Sequence, residues 1–261
     1  MFYALAEGLI DTEGLEYVHE LQDIETLNHR ALRGELEVSA VSIHAFAFLT
    51  ERYALLSSGA SMGDRYGPRL VSGTPQRREE IRGKRIAIPG FLTSAYLALR
   101  LYEPTFDAVV TPFDQVEDAV LDGRADLGLI IHEGQLTYAE RGLHLIADMG
   151  EWWYSETGLP LPLGGNVVRK DLGADITAKI SRHLKASITY ALSHRVGALD
   201  HAMKFARGLE RAKADEFVGM YVNDWTLDYG EAGRRSVALF LERGAQAGII
   251  PHRVTPEFVA P

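Results

Sequence analysis

The sequence predicts an α/β fold with largely parallel sheets, divided into two lobes that enclose a cleft. Patterns typical of helices and strands alternate along most of the 261 residues, as expected of chains that build such sheets. The stretches LRGELEVSAVSIH (32–44) and LDGRADLGLIIH (121–132) share a plan, in which Leu, Gly and an acidic residue precede an apolar strand that ends at a His. Two copies about ninety residues apart indicate two similar lobes rather than a solenoid.

Local signals define the elements of the first part of the chain. FYALAEGL is predicted to form a short helix that ends near Gly8, and LEYVHEL alternates like a strand. DIETLNHRALRG predicts a helix with Asp23 as its N-cap and Gly34 as its C-cap. ELEVSAVS then predicts a strand and IHAFAFLTERY a helix, before a loop-rich stretch that runs to residue 73.

The remaining chain continues the alternation and then becomes helical. KRIAIPG predicts a strand, and TSAYLALRLY predicts a helix capped by Thr93. DAVVTPF and ADLGLIIH are predicted strands on either side of the helix DQVEDAVLDG. Beyond residue 173 the pattern is almost wholly helical, and Gly248 and Pro251 end the last helix. We therefore expect residues 1–83 and 173–261 to form lobe 1 and residues 84–172 to form lobe 2.

Composition and charge exclude several classes of function. The net charge is -9, with acidic and basic residues interspersed, and no basic stripe or RNA-binding aromatic motif predicts a nucleic-acid partner. The chain has no Cys, which excludes disulfides, thiolate zinc sites and a cysteine nucleophile. No apolar run reaches membrane-spanning length, and the first residues lack a basic region followed by a long apolar stretch. We expect a cytoplasmic protein with no membrane partner.

The sequence predicts neither a metal nor a nucleotide cofactor. His194 and His201 lie seven residues apart, on one face of a helix, but no acidic residue or thiolate completes a metal site. No glycine-rich phosphate loop is present. We therefore expect no cofactor.

Three strand ends are expected to face the cleft, because ligands of open α/β sheets bind beyond the carboxyl ends of strands. They are Ser42–His44, Pro89–Ala95 and His132–Gln135. The helix N-termini that follow present free backbone N–H groups, which favour carboxylates and phosphates. Each hydroxyl there, taken alone, is better explained as an ordinary N-cap. Two helix N-termini with hydroxyls that face the same cleft favour a binding site.

His132 follows a predicted apolar strand and precedes Glu133 and Gly134. A lone histidine in such a place is more often a capped surface residue or a satisfied core residue than a functional one. Gly134 would let the backbone approach a ligand closely, or would simply form a turn. The pattern alone leaves both interpretations open.

Longer motifs identify a resemblance to a known family. GLIIHEGQLTY, GEWWYSETGLPLPLGGN, RIAIPGFLTSAYLAL and YGPRLVS together resemble the 1,4-dihydroxy-6-naphthoate synthases of the futalosine route to menaquinone, and the likeness covers nearly the whole chain. It implies a periplasmic-binding-protein-like (type II) fold, with two lobes joined by crossover strands and the ligand between them. It also implies a carbon–carbon lyase that converts cyclic dehypoxanthinylfutalosine to 1,4-dihydroxy-6-naphthoate.

The resemblance also implies roles for individual residues. The His of IIHEGQ, here His132, corresponds to the family's proton acceptor. Family members often have Thr-Thr-Ala where this chain has Thr-Ser-Ala, so Ser94 is a departure that keeps the hydroxyl. The residues expected to bind an aromatic carboxylate substrate are Ser42, Ile43, His44, Thr93, Ser94 and Ala95.

The sequence predicts roles for two further groups of residues, one aromatic and one polar. Trp152, Trp153 and Tyr154 would supply an apolar wall for the substrate or pack in the core. The polar residues ahead of the last helix are expected to be mainly structural, at the junction of the lobes: Tyr221, Asn223, Thr226 and Asp228.

One departure from the family concerns the first residues. Family members open with a strand and a Ser-Pro-x-Pro-Asn-Asp-Thr turn, and both are absent ahead of Met1. This predicts that Met1 is an internal methionine of a longer protein that is more stable and more active. Two alternative functions remain: a chorismate dehydratase of the same pathway, and a solute-binding protein of the same fold. A homodimer is left open as the assembly.

Overall fold

The computed structural model describes residues 1–205 and 210–260. Ten strands are present in these residues: β1 (Val38–Ser42), β2 (Tyr53–Leu56), β3 (Ser61–Gly63), β4 (Arg69–Ser72), β5 (Arg85–Ile88), β6 (Asp107–Val110), β7 (Leu127–Ile130), β8 (His144–Asp148), β9 (Leu161–Arg169) and β10 (Phe258–Val259). The first six α-helices are α1 (Tyr3–Ala6), α2 (Ile24–Arg33), α3 (Ile43–Phe46), α4 (Ser94–Tyr102), α5 (Val116–Leu121) and α6 (Gly134–Thr137). The others described are α7 (Met149–Thr157), α8 (Ala174–Ser193), α9 (Arg195–Met203), α10 (Arg211–Tyr221), α11 (Asp224–Leu227) and α12 (Gly230–Gln246).

The strands form two five-stranded sheets, as a two-lobed α/β fold requires. The first sheet has the order β1-β9-β2-β10, with β3 also paired to β9, and the second has the order β6-β5-β7-β4-β8. Parallel pairing is confined to β2–β10 and to β6–β5–β7, whereas β4 and β9 pair antiparallel with all their neighbours. The prediction of largely parallel sheets was therefore wrong. β4 and β9 follow the points where the chain changes sheets, and they enter each sheet from the opposite end.

The chain changes sheets between Gly63 and Arg69 and returns between Asp148 and Leu161. Both crossings come earlier in the chain than the predicted lobe boundaries at residues 83 and 172. As a result, β4 lies before residue 83 but pairs in the second sheet, and β9 lies before residue 172 but pairs in the first. Hydrophobic patterning marks where a strand is, but its partners are set by tertiary pairing. The division of the chain into lobes at 83 and 172 stays a prediction.

Helices with local capping signals form where the sequence predicts them. In α2 the Asp23 carboxylate accepts the Thr26 N–H at 3.0 Å, and Gly34 ends the helix at φ 72°. In α4 the Thr93 hydroxyl accepts the Tyr96 N–H at 3.1 Å. Such caps satisfy backbone groups that the first turn leaves without partners.

Two of the predicted elements were wrong. LEYVHEL has no strand partner among the described residues and runs as an extended segment in which Val18 and Leu21 are exposed. IHAFAFLTERY is helical only over α3. After α3 the chain continues in turns, one of which is closed by a bond from the Ala47 N–H to the His44 carbonyl. Alternation predicts a strand only where a neighbouring strand is available to pair with it.

The main core joins the two sheets. Its buried apolar side chains come from both sheets, for example Leu55 and Val167 from the first and Ile86 and Leu127 from the second. Trp153 is fully buried here and donates its indole N–H to the Ser236 hydroxyl at 3.0 Å. Within residues 1–205 and 210–260, no helix is both long enough and apolar enough to cross a membrane.

Candidate functional site

A cavity of about 340 Å³ lies where the elements of the two sheets meet. The end of β1 and the middle of β9 line it from the first sheet. The start of α4 and the turn after β7 line it from the second. Of the residues that the sequence predicted for substrate binding, four are in the cavity wall: Ser42, Thr93, Ser94 and Ala95. The third expected strand end, His132–Gln135, contributes Gln135, so each of the three strand ends that we expected to face a cleft supplies at least one residue of the wall.

The hydroxyls of the cavity wall are held by hydrogen bonds within the protein. The Ser42 hydroxyl accepts from the Asn28 amide at 3.2 Å, and the Ser42 N–H donates to the Asn28 carbonyl oxygen at 2.9 Å. The Thr93 hydroxyl donates to the Gly90 carbonyl at 2.8 Å. The Ser94 hydroxyl accepts the backbone N–H of His44 at 3.1 Å. These bonds orient the hydroxyls before any ligand binds, so little side-chain entropy remains to be lost on binding.

Ile43 and His44 lie behind the wall and not in it. Ile43 is fully buried in the main core. His44 is 2% exposed, stacks on Tyr96 and donates a ring N–H to the Thr93 carbonyl at 3.3 Å. Burial lowers the pKa of His44 to about 4, although nearby backbone carbonyls act in the opposite direction. At neutral pH this ring is uncharged, so it supplies no positive charge for a carboxylate.

His132 is not among the residues that line the cavity, but it lies in the chain between two that do, Ile131 and Gln135. Its Nδ1 accepts the Gly134 N–H at 3.0 Å, and its Nε2 lies 2.7 Å from the Phe113 carbonyl oxygen. A carbonyl can only accept, so we assign the ring proton to Nε2, and the Nδ1 lone pair accepts the Gly134 N–H. The hydrogen bonds therefore select one neutral tautomer of the imidazole.

Carboxylates lie on two sides of the His132 turn. Glu133 Oε2 is 3.7 Å from His132 Nδ1, and its side chain is 33% exposed. On α5, Glu117 is buried and pairs with Arg141 at 2.8 Å. Glu133 therefore places a carboxylate beside the imidazole, and Glu117 and the His132 ring both lie beside Gly134.

Two residues of the cavity wall had no binding role in the sequence analysis: Gln135 was only part of a strand end expected to face the cleft, and Tyr221 was expected to be mainly structural. Gln135 is 1% exposed, and its side-chain oxygen accepts from the Tyr221 hydroxyl at 2.7 Å. Burial raises the pKa of Tyr221, so this hydroxyl keeps its proton and acts as a donor. Phe217, one helical turn before Tyr221, also lines the cavity. The aromatic pair at i and i+4 in the sequence was the available signal.

The expected aromatic wall is elsewhere. Trp153 packs in the core against Phe240, with ring centroids 5.2 Å apart, and Tyr154 accepts a hydrogen bond from Arg65. None of residues 152–154 lines the cavity, and Trp152 packs instead against Tyr102 of α4, with ring centroids 5.6 Å apart. Asn223 does have the expected structural role, since its side chain caps α11 through the Trp225 N–H at 3.0 Å.

Comparisons with known proteins cover nearly the full length of the chain. The family described as "Menaquinone biosynthesis" matches residues 1–246. A 1,4-dihydroxy-6-naphthoate synthase of Thermus thermophilus is 38% identical over 260 residues, which are 99% of this chain and 94% of the relative. One of Streptomyces coelicolor is 37% identical over 258 residues, covering 96% of this chain and 90% of the relative.

Solved structures support the same fold. A protein of Archaeoglobus fulgidus superimposes with a TM-score of 0.91 at 43% identity, covering 95% of this chain and 93% of that one. The alkanesulfonate-binding protein of Xanthomonas axonopodis superimposes with a TM-score of 0.72 at 12% identity, covering 99% and 93%. The second likeness, at this low identity, shows the periplasmic-binding-protein fold alone.

Proposed function

Because the chain belongs to the 1,4-dihydroxy-6-naphthoate synthase family of menaquinone biosynthesis, we propose that it cleaves cyclic dehypoxanthinylfutalosine to 1,4-dihydroxy-6-naphthoate, with His132 as the general base. The observation that supports this assignment is the tautomer of the His132 imidazole, in which Nδ1 is unprotonated and accepts only a backbone N–H, that of Gly134 at 3.0 Å. The reaction class would be a carbon–carbon lyase without redox chemistry. Formation of the aromatic ring would provide much of its driving force.

The hydrogen bonds of His132 favour Nδ1 as the atom that takes the proton. Nε2 already carries a proton and donates it to the Phe113 carbonyl, which also fixes the plane of the ring. Nδ1 needs only to exchange the Gly134 N–H for a substrate proton. A second group that orients the imidazole while the other nitrogen reacts is the usual arrangement of catalytic histidines.

The substrate carboxylate is proposed to bind at the first turn of α4. The backbone N–H groups of Ser94 and Ala95 belong to this turn, where no carbonyl of the helix itself can accept them. The positive end of the helix dipole favours an anion there. Ser42 faces the same cavity from β1 and would add a hydroxyl. Phe217, which also lines the cavity, would contact the aromatic body of the substrate.

The experiment that tests the function is an assay with the purified protein and cyclic dehypoxanthinylfutalosine, in which dihydroxynaphthoate is measured. We expect turnover by the wild-type protein and a loss of about 100-fold or more for His132→Asn, because positioned bases contribute about 100- to 10,000-fold. His144→Asn is the matched control, since His144 is an exposed residue of the same sheet.

The outcomes separate the proposed roles. Turnover of His132→Asn near the wild-type rate would show that His132 is not the base. Binding of the substrate without any product, in the wild-type protein, would instead favour the solute-binding alternative. Action on chorismate would favour the dehydratase alternative. Cytoplasmic location and a homodimer remain predictions of the sequence.

A further inference from the structure

Gln135 connects several parts of the molecule through its polar groups. Its backbone N–H donates to the His132 carbonyl at 2.9 Å, and its backbone carbonyl accepts from the Arg69 guanidinium. Its side-chain amide donates to the Ile130 carbonyl at 3.4 Å and accepts from the Tyr221 hydroxyl at 2.7 Å. Gln135 is 1% exposed, so water does not replace a lost partner easily. Removing one contact therefore leaves a buried polar group unpaired.

Tyr221 is the partner that reaches Gln135 from the other side of the cavity. It is the last residue of α10, whereas Gln135 belongs to α6, just after His132. Its ring packs against Tyr66 and Phe217, with centroid distances of 5.8 and 5.1 Å. These ring contacts do not involve the hydroxyl, so a phenylalanine at this position would keep the packing and lose only the hydrogen bond.

A second contact places α10 beside the chain that follows His132. Lys213 Nζ, in the first turn of α10, lies 2.7 Å from Glu140 Oε1. Glu140 belongs to the short 3-10 helix Tyr138–Arg141, directly after α6. This pair is largely exposed and contributes little energy by itself. It is a second point at which α10 contacts the segment that follows His132, so the Tyr221 bond is not the sole link between them in the described residues.

We propose that Tyr221 is a positioning residue, which orients the His132 turn through Gln135 and holds α10 over the cavity. The inference rests on the proposed role of His132 as the base. With the hydroxyl bond in place, the Gln135 side chain is fixed, and its amide N–H stays on the Ile130 carbonyl at the end of β7. Without that bond the buried amide oxygen has no partner, Gln135 reorients, and the turn that includes His132 becomes less ordered.

The first test is Tyr221→Phe in the turnover assay. We expect kcat to fall roughly 3- to 10-fold with little change in KM, the range that one neutral hydrogen bond supports. Tyr53→Phe is the matched control, because the Tyr53 hydroxyl also donates to a carbonyl (that of Leu36, at 2.6 Å) but lies in the first sheet away from the cavity. Equal kcat for Tyr221→Phe and wild type, or a change in KM alone, would overturn the proposal.

A double-mutant cycle shows whether Tyr221 acts through Gln135. Gln135→Met removes the amide at nearly constant length. If the hydroxyl acts through Gln135, adding Tyr221→Phe to Gln135→Met lowers kcat no further. Independent, multiplicative losses would mean that Tyr221 touches the substrate directly, and they would overturn the positioning role.

A readout without substrate separates this proposal from the proposed function. In protein labelled with 15N-histidine, the His132 ring, assigned with His132→Asn, should report the Nε2–H tautomer in the wild type and in Tyr53→Phe. In Tyr221→Phe we expect tautomer exchange or a shifted Nδ1 resonance. An unchanged His132 signal would overturn the proposal even if the wild type turns over. A changed signal in a protein that makes no dihydroxynaphthoate would support the positioning contact and refute the proposed function.

Discussion

Gly134 is the residue on which the geometry of His132 depends most directly. A Cβ at this position would lie 2.6 Å from Glu117 Oε1 and 2.9 Å from His132 Cε1. Both neighbours are restrained, Glu117 by its ion pair with Arg141 and His132 by its two ring hydrogen bonds. A side chain at 134 must therefore displace the carboxylate or the imidazole.

Gly134→Ala is expected to lower kcat by up to about 100-fold, because a displacement near 1 Å of a catalytic group has an effect of that size. Gly73→Ala is the control, since a Cβ there would meet no atom within 4 Å and Gly73 has no positive φ. Both variants are compared by turnover and by thermal unfolding. Wild-type kcat in Gly134→Ala would show that the space beside His132 is not needed.

Individual site residues were predictable where a local signal marks them. Ser42, Thr93, Ser94 and Ala95 follow strand ends or begin a helix, and they do lie in the cavity wall, although their binding role stays a prediction. Ile43 and His44 follow Ser42 directly, but the turn of α3 directs them into the core. The bond between Gln135 and Tyr221 joins residues 86 positions apart, and no local pattern encodes such a pair.

At the scale of elements, the first turn of α4 is where folding and the proposed binding site depend on the same side chain. The Thr93 hydroxyl accepts the Tyr96 N–H at 3.1 Å and donates to the Gly90 carbonyl at 2.8 Å. Thr93→Ala removes both bonds and is expected to lower the free energy of unfolding by about 1–2 kcal/mol. Thr93→Ser keeps the hydroxyl and is expected to be close to wild type. Urea unfolding of the three proteins measures the difference, and equal stability of Thr93→Ala and Thr93→Ser would contradict the capping role.

Elements with local capping signals were predicted well from the sequence, and elements that depend on distant pairing were not. α2 and α4 begin at capping residues that are adjacent in the sequence, Asp23 and Thr93, so their first residues follow from local chemistry. The stretch from 15 to 21 alternates correctly for a strand, yet no strand within residues 1–205 and 210–260 pairs with it, and its Tyr17 hydroxyl bonds to His183 Nδ1 at 2.9 Å instead. Strand direction was predicted less well, because pairing is a property of segments far apart in the chain.

On the scale of the whole molecule, the elements of the two sheets are joined across the cavity by hydrogen bonds as well as by the core. The Leu92 N–H donates to Glu25 Oε1 at 3.3 Å, which connects α2 with the loop before α4. The His44 N–H donates to the Ser94 hydroxyl at 3.1 Å, and Tyr221 donates to Gln135 at 2.7 Å. These three bonds therefore hold elements of the two sheets together beside the cavity. A resemblance in sequence implies the two-lobed fold, but it contains no information on how far the lobes are closed.

Glu25 is not among the residues that line the cavity, although its second carboxylate oxygen accepts from the Asn28 amide at 3.2 Å. The Leu92 contact can therefore be removed without replacing a residue of the cavity wall. Loss of a hydrogen bond to a partly exposed carboxylate costs about 1 kcal/mol, enough to shift a closed-to-open ratio about 5-fold. We therefore expect Glu25→Ala to increase the radius of gyration in small-angle X-ray scattering. Glu25→Gln keeps an acceptor for the Leu92 N–H and should scatter like the wild type, as should Glu20→Ala, which removes only an exposed partner of Arg30. If Glu25→Ala scatters like the wild type as well, the buried core and the other two bonds suffice to hold the lobes together, and closure does not depend on α2.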